Sequence, residues 1–238
     1  MLNGRRILAV VPARGGSKGV PLKNLHPLLG RPLIAHAGDI IRDAGIFDRA
    51  VVSTDHEGIA AAAEAAGIAA PFRRPEPLSG DRIGDWEVLN HALIEIERID
   101  RGKYDVVVML QPTSPLRRIS HIVDSVSLLI ERGFDAVWTV TPTDLKYHPL
   151  KQLSISPDSQ LDFFDPRGAQ IIARQQLTPV YTRNGACYAF TRDCLLLQKT
   201  TMAKRSGAVV TEEPMISIDT IEDFDKVAAL LRGRSSNA

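Results

Sequence analysis

The sequence has few cysteines, almost no excess of one charge and no apolar run long enough to cross a bilayer. The spacing of its two cysteines, Cys187 and Cys194, fits neither a CxxC redox pair nor a zinc site nor a disulfide framework. The formal net charge is +1 over 238 residues, which argues against a general nucleic-acid or membrane-surface binder. The apolar stretch before Pro12 is too short for a signal peptide. We therefore expect a cytoplasmic protein with two reduced, structural thiols.

The sequence does have enough apolar material for one sizeable core. Apolar residues make up 44% and charged residues 24% of it, which excludes global disorder. The length suits one α/β domain, residues 1–238, with a small appended lobe. Charge is unevenly distributed, because residues 1–38 include six basic and no acidic residues, whereas residues 212–225 include six acidic ones. The first segment is predicted to bind anions and the second to bind cations.

Apolar runs and helical periodicity alternate along most of the chain. The predicted strands are 7–11, 50–53, 104–110, 135–140, 186–190 and 208–211, and the predicted helices are 32–44, 59–66, 85–99, 120–133 and 221–231. Asp85 and Ser120 are expected to cap two of these helices. The alternation predicts an α/β fold with a mostly parallel, Rossmann-like sheet flanked by helices. It stops at residues 141–186, a proline-rich stretch that we interpret as an inserted lobe and a homodimer contact.

The loop after the first strand carries the clearest chemical signal, the sequence ARGGSKGVPLKN at residues 13–24. Its glycines permit close approach of backbone N–H groups to a phosphate chain, and its cations and hydroxyl can neutralise and bind one. These residues are Arg14, Gly15, Gly16, Ser17, Lys18, Gly19 and Lys23. The loop matches neither a Walker A motif nor the G-x-G-x-x-G dinucleotide fingerprint. A triphosphate site at the carboxyl end of this strand is therefore predicted.

The loop resembles the nucleotide-binding signature of the acylneuraminate cytidylyltransferases, the CMP-sialic acid synthetase family. Further matches follow in the same order over nearly the whole chain. They are VSTD at 52–55, RP at 74–75, LQPTSPLR at 110–117, HPLK at 148–151, RQQL at 174–177, RNG at 183–185 and SIDT at 217–220. The resemblance implies a fold of the nucleotide-diphospho-sugar transferase type.

The resemblance also implies roles for individual residues. The triphosphate would be held by Arg14, Ser17, Lys18 and Lys23, and the base or ribose by Asn24 and Arg74. The acceptor sugar would be bound by Gln111, Lys151 and Arg174. Asp219 would be a catalytic ligand of Mg²⁺, and Arg14 and Lys18 would stabilise the departing charge. Structural alternatives remain open, among them an exposed loop charge for Arg74, a solvated Lys151 and a helix cap for Asp55.

The implied reaction is attack of the anomeric hydroxyl of an acidic nine-carbon sugar on the α-phosphorus of CTP, with release of pyrophosphate. The alternatives are another acidic sugar, such as legionaminic or pseudaminic acid, the use of GTP, or a catalytically weakened nucleotide-sugar binding homologue. A CMP-Kdo synthetase is disfavoured because of the lysine at position 18 and the Gly-Gly pair. No general base is evident. One departure stands out, since the family shows Asp-Ile-Asp where this chain has Ser217-Ile218-Asp219.

Overall fold

A computed structural model of the protein describes residues 2–235. The strands and helices follow one another as β1 (Ile7–Pro12), β2 (Pro27–Leu28), β3 (Arg31–Pro32), α1 (Leu33–Ala44), β4 (Arg49–Ser53), α2 (Glu57–Ala65), α3 (Asp85–Asp100), β5 (Val106–Met109), α4 (Ile119–Arg132), β6 (Ala136–Pro142), β7 (Leu153–Ile155), β8 (Leu161–Phe163), β9 (Tyr181–Thr191), α5 (Arg192–Leu196), β10 (Ser206–Val210) and α6 (Ile221–Ser235). No helix among these residues is long and apolar enough to cross a membrane.

A six-stranded sheet in the order β10-β6-β9-β5-β1-β4 forms the centre of the fold. Strands β4, β1 and β5 are parallel neighbours, and β10 is parallel to β6. Strand β9 runs antiparallel to both of its neighbours, β5 and β6. The prediction of a mostly parallel sheet flanked by helices is confirmed, and the single reversed strand is an addition that apolar runs alone do not reveal.

The central strands are continuous apolar runs because helices cover both faces of the sheet. Along β1, Ile7, Ala9 and Val11 belong to the core layer shared with α1 and α4, while Leu8 and Val10 belong to the layer shared with α3. The strand residues from Ile7 to Val11 are all fully buried. Strand β1 is therefore fixed from both sides, and so is the start of the loop that follows it.

Two predicted helix caps are wrong. Gly84, and not Asp85, occupies the N-cap position of α3, so that Asp85 becomes the first helical residue. Helix α4 begins after Arg118, whose N–H donates to His121 Nδ1 at 3.2 Å, and Ser120 lies inside the first turn. A histidine three residues into the helix thus performs the capping that was expected of the serine.

The irregular segment between β6 and β9 is shorter than predicted, because β9 begins at Tyr181 and not at residue 186. Residues 143–180, here called the lobe, contain short 3₁₀ turns and the β7–β8 hairpin. Apolar side chains of this hairpin and its flanks lie exposed, namely Leu153, Ile155, Leu161, Phe164 and Ile172. The division of residues 1–238 into a single domain with a dimer contact at 141–186 stays a prediction.

Candidate active site

The candidate site lies where the carboxyl ends of β4, β1 and β5 meet. Strand β1 has β4 on one side and β5 on the other, so that the loops leaving these strands diverge around a crevice. This is the point at which open α/β sheets bind ligands. A return segment, residues 217–219, closes the crevice from the other side, since the Ile218 N–H donates to the Thr113 carbonyl at 2.8 Å.

A cleft of about 580 Å³, here called the basic cleft, opens at this point. Eight of the predicted site residues line it, namely Arg14, Ser17, Lys18, Lys23, Asn24, Arg74, Gln111 and Asp219. The glycines of the loop divide into two groups. Gly19 lines the cleft, whereas Gly15 and Gly16 do not, and the Gly15 N–H donates to the Asp55 carboxylate at 2.8 Å. Asp55 therefore fixes the loop, while His56 caps α2.

The cations of the loop are held by carboxylates from distant parts of the chain. The Asp81 carboxylate forms one ion pair with Arg14 at 2.8 Å and a second with Lys18 at 2.5 Å. Hydrogen bonds from Lys18 and Arg14 lower the pKa of Asp81 below its usual range. Lys23 Nζ donates to Asp219 Oδ1 at 2.8 Å and to the Ile218 carbonyl at 2.7 Å. A polyphosphate entering the cleft would meet cations that are already positioned.

Asp81 is a site residue with no local signal in the sequence, since it lies 63 residues beyond Lys18 in a loop rich in proline and glycine. An isolated acidic residue in such a loop is indistinguishable from a solvated one. Only the fold brings it to the basic loop.

Arg74 is buried, with 6% of its surface exposed, so it is not an exposed loop charge. Its guanidinium donates to the Ser53 hydroxyl at 3.0 Å and to the Ser53 carbonyl, and its backbone N–H donates to the Thr54 carbonyl. Burial lowers the pKa of Arg74 to about 10, which leaves it charged at neutral pH. Arg74 therefore holds the end of β4 and contributes one wall of the basic cleft.

A second cleft of about 480 Å³, here called the hydroxyl cleft, adjoins the first. Its walls come from β6, β9 and the return segment, and its polar side chains are mainly neutral: Gln111, Thr141, Thr182, Asn184, Tyr188 and Ser217. Arg183 is the cation that lines it. The two clefts share Gln111, Ser217 and Asp219. A molecule bound in one cleft would thus meet a molecule bound in the other at these three side chains.

Buried Arg117 holds the junction of the clefts together. Its guanidinium donates to the carbonyl of Ala186 at 2.7 Å and to the carbonyl of Gln111, joining the end of β5 to β9. Burial lowers its pKa to about 10. Gly185 has a φ of +71°, and a Cβ there would lie 2.6 Å from Gln111 Oε1. The glycine thus lets the Gln111 side chain lie against β9.

Asp219 is the carboxylate at the junction and the one predicted to bind a metal. Its side chain is 73% exposed. The Asp223 carboxylate accepts the N–H groups of Asp219 and Thr220 at the start of α6, at 3.0 and 2.9 Å. Asp219 is therefore not needed as a cap and faces the clefts. Within residues 2–235 no cluster of three or more His, Cys, Asp or Glu residues could hold a metal. Ser217 is the other side chain of the return segment that lines both clefts.

Lys151 and Arg174 lie away from both clefts. They line a cavity of about 290 Å³ inside the lobe, together with Leu153, Phe163 and Ile172. His148 belongs to the matched HPLK motif and is buried. It has a structural role, since its Nδ1 accepts a hydrogen bond from the Leu150 N–H at 3.1 Å. Within one protomer, Lys151 and Arg174 therefore do not lie beside the residues that are common to both clefts.

Comparison with known proteins gives consistent matches over the length of the chain. A family model described as "Cytidylyltransferase" matches residues 8–236. The chain is 33% identical over 221 residues to an N-acylneuraminate cytidylyltransferase of Streptococcus agalactiae serotype V, covering 91% of this chain and 51% of the relative. It is 30% identical over 232 residues to a pseudaminic acid cytidylyltransferase of Campylobacter jejuni, covering 97% and 98%.

A CMP-N,N'-diacetyllegionaminic acid synthase of Legionella pneumophila is 32% identical over 223 residues, with 92% and 93% of the two chains covered. The chain spans about half the length of the N-acylneuraminate relatives that it matches and nearly the full length of the other two. Among solved structures, a CMP:2-keto-3-deoxy-manno-octonic acid synthetase complexed with CTP superposes with a TM-score of 0.71 at 18% identity, covering 96% and 99%. That similarity supports the fold.

Proposed function

The chain belongs to the cytidylyltransferase family, and on this premise we propose that it transfers CMP from CTP to a nonulosonic sugar acid with release of pyrophosphate. The observation that carries the proposal is the pair of adjoining clefts. One is lined by three cations of a glycine-containing loop and the other mainly by neutral hydrogen-bonding groups, and they meet at Gln111, Ser217 and Asp219. Such an arrangement suits a triphosphate and a polyhydroxylated acceptor that react with each other.

In this reaction the acceptor hydroxyl oxygen forms a bond to the α-phosphorus, and the bond from that phosphorus to the bridging oxygen of pyrophosphate breaks. The hydroxyl proton leaves to solvent or to a basic group. Arg14, Lys18 and Lys23 stabilise the charge that moves onto the departing pyrophosphate, for which Ser17 is a further hydrogen-bond donor. Asn24 and Arg74 serve the nucleoside, and Gln111 orients the acceptor. The chain's own contribution is thus position and electrostatic complementarity.

The residues at the junction fit one divalent cation, proposed here to be Mg²⁺. Asp219 would be its protein carboxylate and the Ser217 hydroxyl a weaker neighbour, which is acceptable because Mg²⁺ keeps several waters and binds substrate phosphates. When bound, the ion neutralises phosphate charge. The Lys23 ammonium group can move from Asp219 to a bound phosphate. This movement would free the Asp219 carboxylate to bind the cation. A catalytically weakened homologue is the competing proposal, since one carboxylate is replaced by Ser217.

The acceptor is proposed to be an acid of the nonulosonic class. The relatives' names include N-acylneuraminate, pseudaminic acid and N,N'-diacetyllegionaminic acid, and identities of 30 to 33% do not separate these sugars. A different acidic sugar, or GTP as the donor, are the remaining alternatives within the same chemistry.

A homodimer is proposed as the working form, with the lobe at the contact. Apolar side chains of the β7–β8 hairpin and its flanks are exposed, Ile155 by 73% and Ile172 by 93%, and a second copy would cover them. Lys151 and Arg174 lie in this lobe and not in the clefts of their own protomer. We propose that they reach the acceptor bound by the partner subunit. The buried, unpaired Cys187 and Cys194 support a reducing, cytoplasmic setting.

The test is pyrophosphate release by the purified full chain with CTP, UTP, ATP and GTP against a panel of nine-carbon acids. We expect turnover with CTP and one or more of the acids, and rates lower by a wide margin with UTP and ATP. Comparable rates with ATP or UTP would refute the base assignment. Absence of turnover with CTP at every Mg²⁺ concentration would favour the weakened homologue.

A further inference from the structure

Asp81 pairs with two of the cations that are proposed to hold the triphosphate. Its Oδ1 lies 2.8 Å from Arg14 Nη1 and its Oδ2 lies 2.5 Å from Lys18 Nζ, so that each carboxylate oxygen has one cation. These contacts lower the pKa of Asp81, which keeps the side chain ionised at neutral pH. A negative charge of the protein therefore lies where the negative charge of a phosphate chain would be neutralised.

The charges that line the basic cleft nearly cancel. Among residues 2–235, four cationic and three acidic side chains line it, a formal net of one positive charge. The cationic ones are Arg14, Lys18, Lys23 and Arg74, and the acidic ones are Asp81, Asp85 and Asp219. A phosphate chain with several negative charges binds more tightly as this net positive charge rises. Of the three carboxylates, Asp81 is the one in contact with Arg14 and Lys18.

The segment that carries Asp81 is exposed, and the hydrogen bonds around it are long. It connects a 3₁₀ turn to the start of α3. The Ile83 N–H donates to the Gly80 carbonyl at 3.4 Å, and Arg14 Nη1 donates to the Ser79 carbonyl at 3.4 Å, both near the limit for a hydrogen bond. When a phosphate binds the two cations, the Asp81 carboxylate can therefore turn to solvent without disturbing buried structure.

We propose that Asp81 is an internal competitor of phosphate, and that its carboxylate takes over Arg14 and Lys18 as pyrophosphate leaves, which favours release of this product. The inference rests on the proposed function for the identity of the product. The exchange breaks no covalent bond, because ion pairs of the two cations with pyrophosphate are replaced by ion pairs with Asp81. Asp81 acts through the two cations, so it is a positioning residue and not a catalytic one.

A purely structural role of Asp81 predicts a change of the opposite sign. If the carboxylate served only to hold Arg14 and Lys18 in place, its loss would let the cations move and would weaken phosphate binding. If it competes, its loss strengthens phosphate binding, because both cations are freed and the cleft gains one net positive charge. The effect is moderate, since each exposed ion pair contributes little.

The experiment compares wild type, Asp81→Asn and the control Glu76→Gln. Glu76 is exposed in the 3₁₀ turn before Asp81 and does not line the cleft. Dissociation constants for inorganic pyrophosphate are measured by calorimetry at low salt without Mg²⁺. We expect Asp81→Asn to bind pyrophosphate about fivefold more tightly, and Glu76→Gln to bind it like wild type. Added salt should narrow the difference, and pyrophosphate should inhibit CTP turnover more strongly in Asp81→Asn.

Unchanged or weaker pyrophosphate binding in Asp81→Asn would overturn the inference, and so would a lack of measurable binding to either protein. If that variant does not fold, as judged by circular dichroism and a thermal melt, Asp81→Ala decides in the same way. Failure of the proposed function looks different, because pyrophosphate binding needs neither CTP nor an acceptor. A wild type that releases no pyrophosphate from CTP, together with tighter binding in Asp81→Asn, would refute that function and keep the inference.

Discussion

Gly19 is the position where the loop touches the return segment, and a methyl group there should separate the two. A Cβ built on Gly19 would lie closer than 3.0 Å to the Asp219 carbonyl oxygen, a distance that real Cβ atoms essentially never show. Relief of this overlap requires the backbones to move apart by about 1 Å to reach ordinary contact. Gly19 does not have a positive φ, so Gly19→Ala introduces a steric change without backbone strain.

The separation should reduce catalysis far more than stability. The loop carries the cations proposed to bind phosphate, and the return segment carries Asp219. A misplacement of about 1 Å between reacting groups can cost on the order of 10²-fold in rate. We therefore expect kcat for pyrophosphate release to fall about 10²-fold in Gly19→Ala. Relaxation of one overpacked contact costs roughly 1–3 kcal/mol, which in a chain of this size lowers Tm by several degrees and leaves it folded.

Gly16→Ala is the matched comparison. It adds the same methyl group to the same loop, but a Cβ at Gly16 meets nothing within 4 Å. It should lose far less activity than Gly19→Ala. Steady-state kinetics with CTP and the acceptor, with a thermal melt on each variant, checks the pair. Equal losses in the two variants, or a wild-type kcat in Gly19→Ala, would refute the role assigned to the contact with Asp219.

Three further predictions concern charge and assembly. Lys18→Ala should lower kcat on the order of 10²-fold or more without unfolding the chain, since it removes a preorganised cation; a rate within about threefold of wild type would mean that the loop is only structural. Asp219→Asn should abolish turnover at every Mg²⁺ concentration of a titration, while Ser217→Asp should lower the Mg²⁺ concentration required. A nearly inactive wild type whose turnover is restored by Ser217→Asp would instead support the weakened homologue. Light scattering should give a dimer at micromolar concentration, and Ile155→Asp should shift it to monomer; a monomeric wild type would contradict the lobe contact.

The class of fold, the family and eight of the residues that line the basic cleft could be predicted from the sequence alone. Continuous apolar runs such as residues 7–11 predict buried strands because both faces of a parallel sheet are covered. The composition of the loop after β1 predicts phosphate binding because glycines, cations and a hydroxyl are close together in the chain. Eight predicted residues do line one cleft, which follows because they lie near the ends of neighbouring strands.

The contacts between distant segments of the chain become visible only in the folded structure. Asp81 pairs with Arg14 and Lys18, and Arg117 joins β5 to β9; neither contact has a local sequence signal. The direction of β9 and the separation of Lys151 and Arg174 from the clefts are likewise set by packing. Asp85 shows the limit most clearly. As a helix cap it looked ordinary, but the helix begins one residue earlier, at Gly84, and that shift leaves its carboxylate to face the cleft.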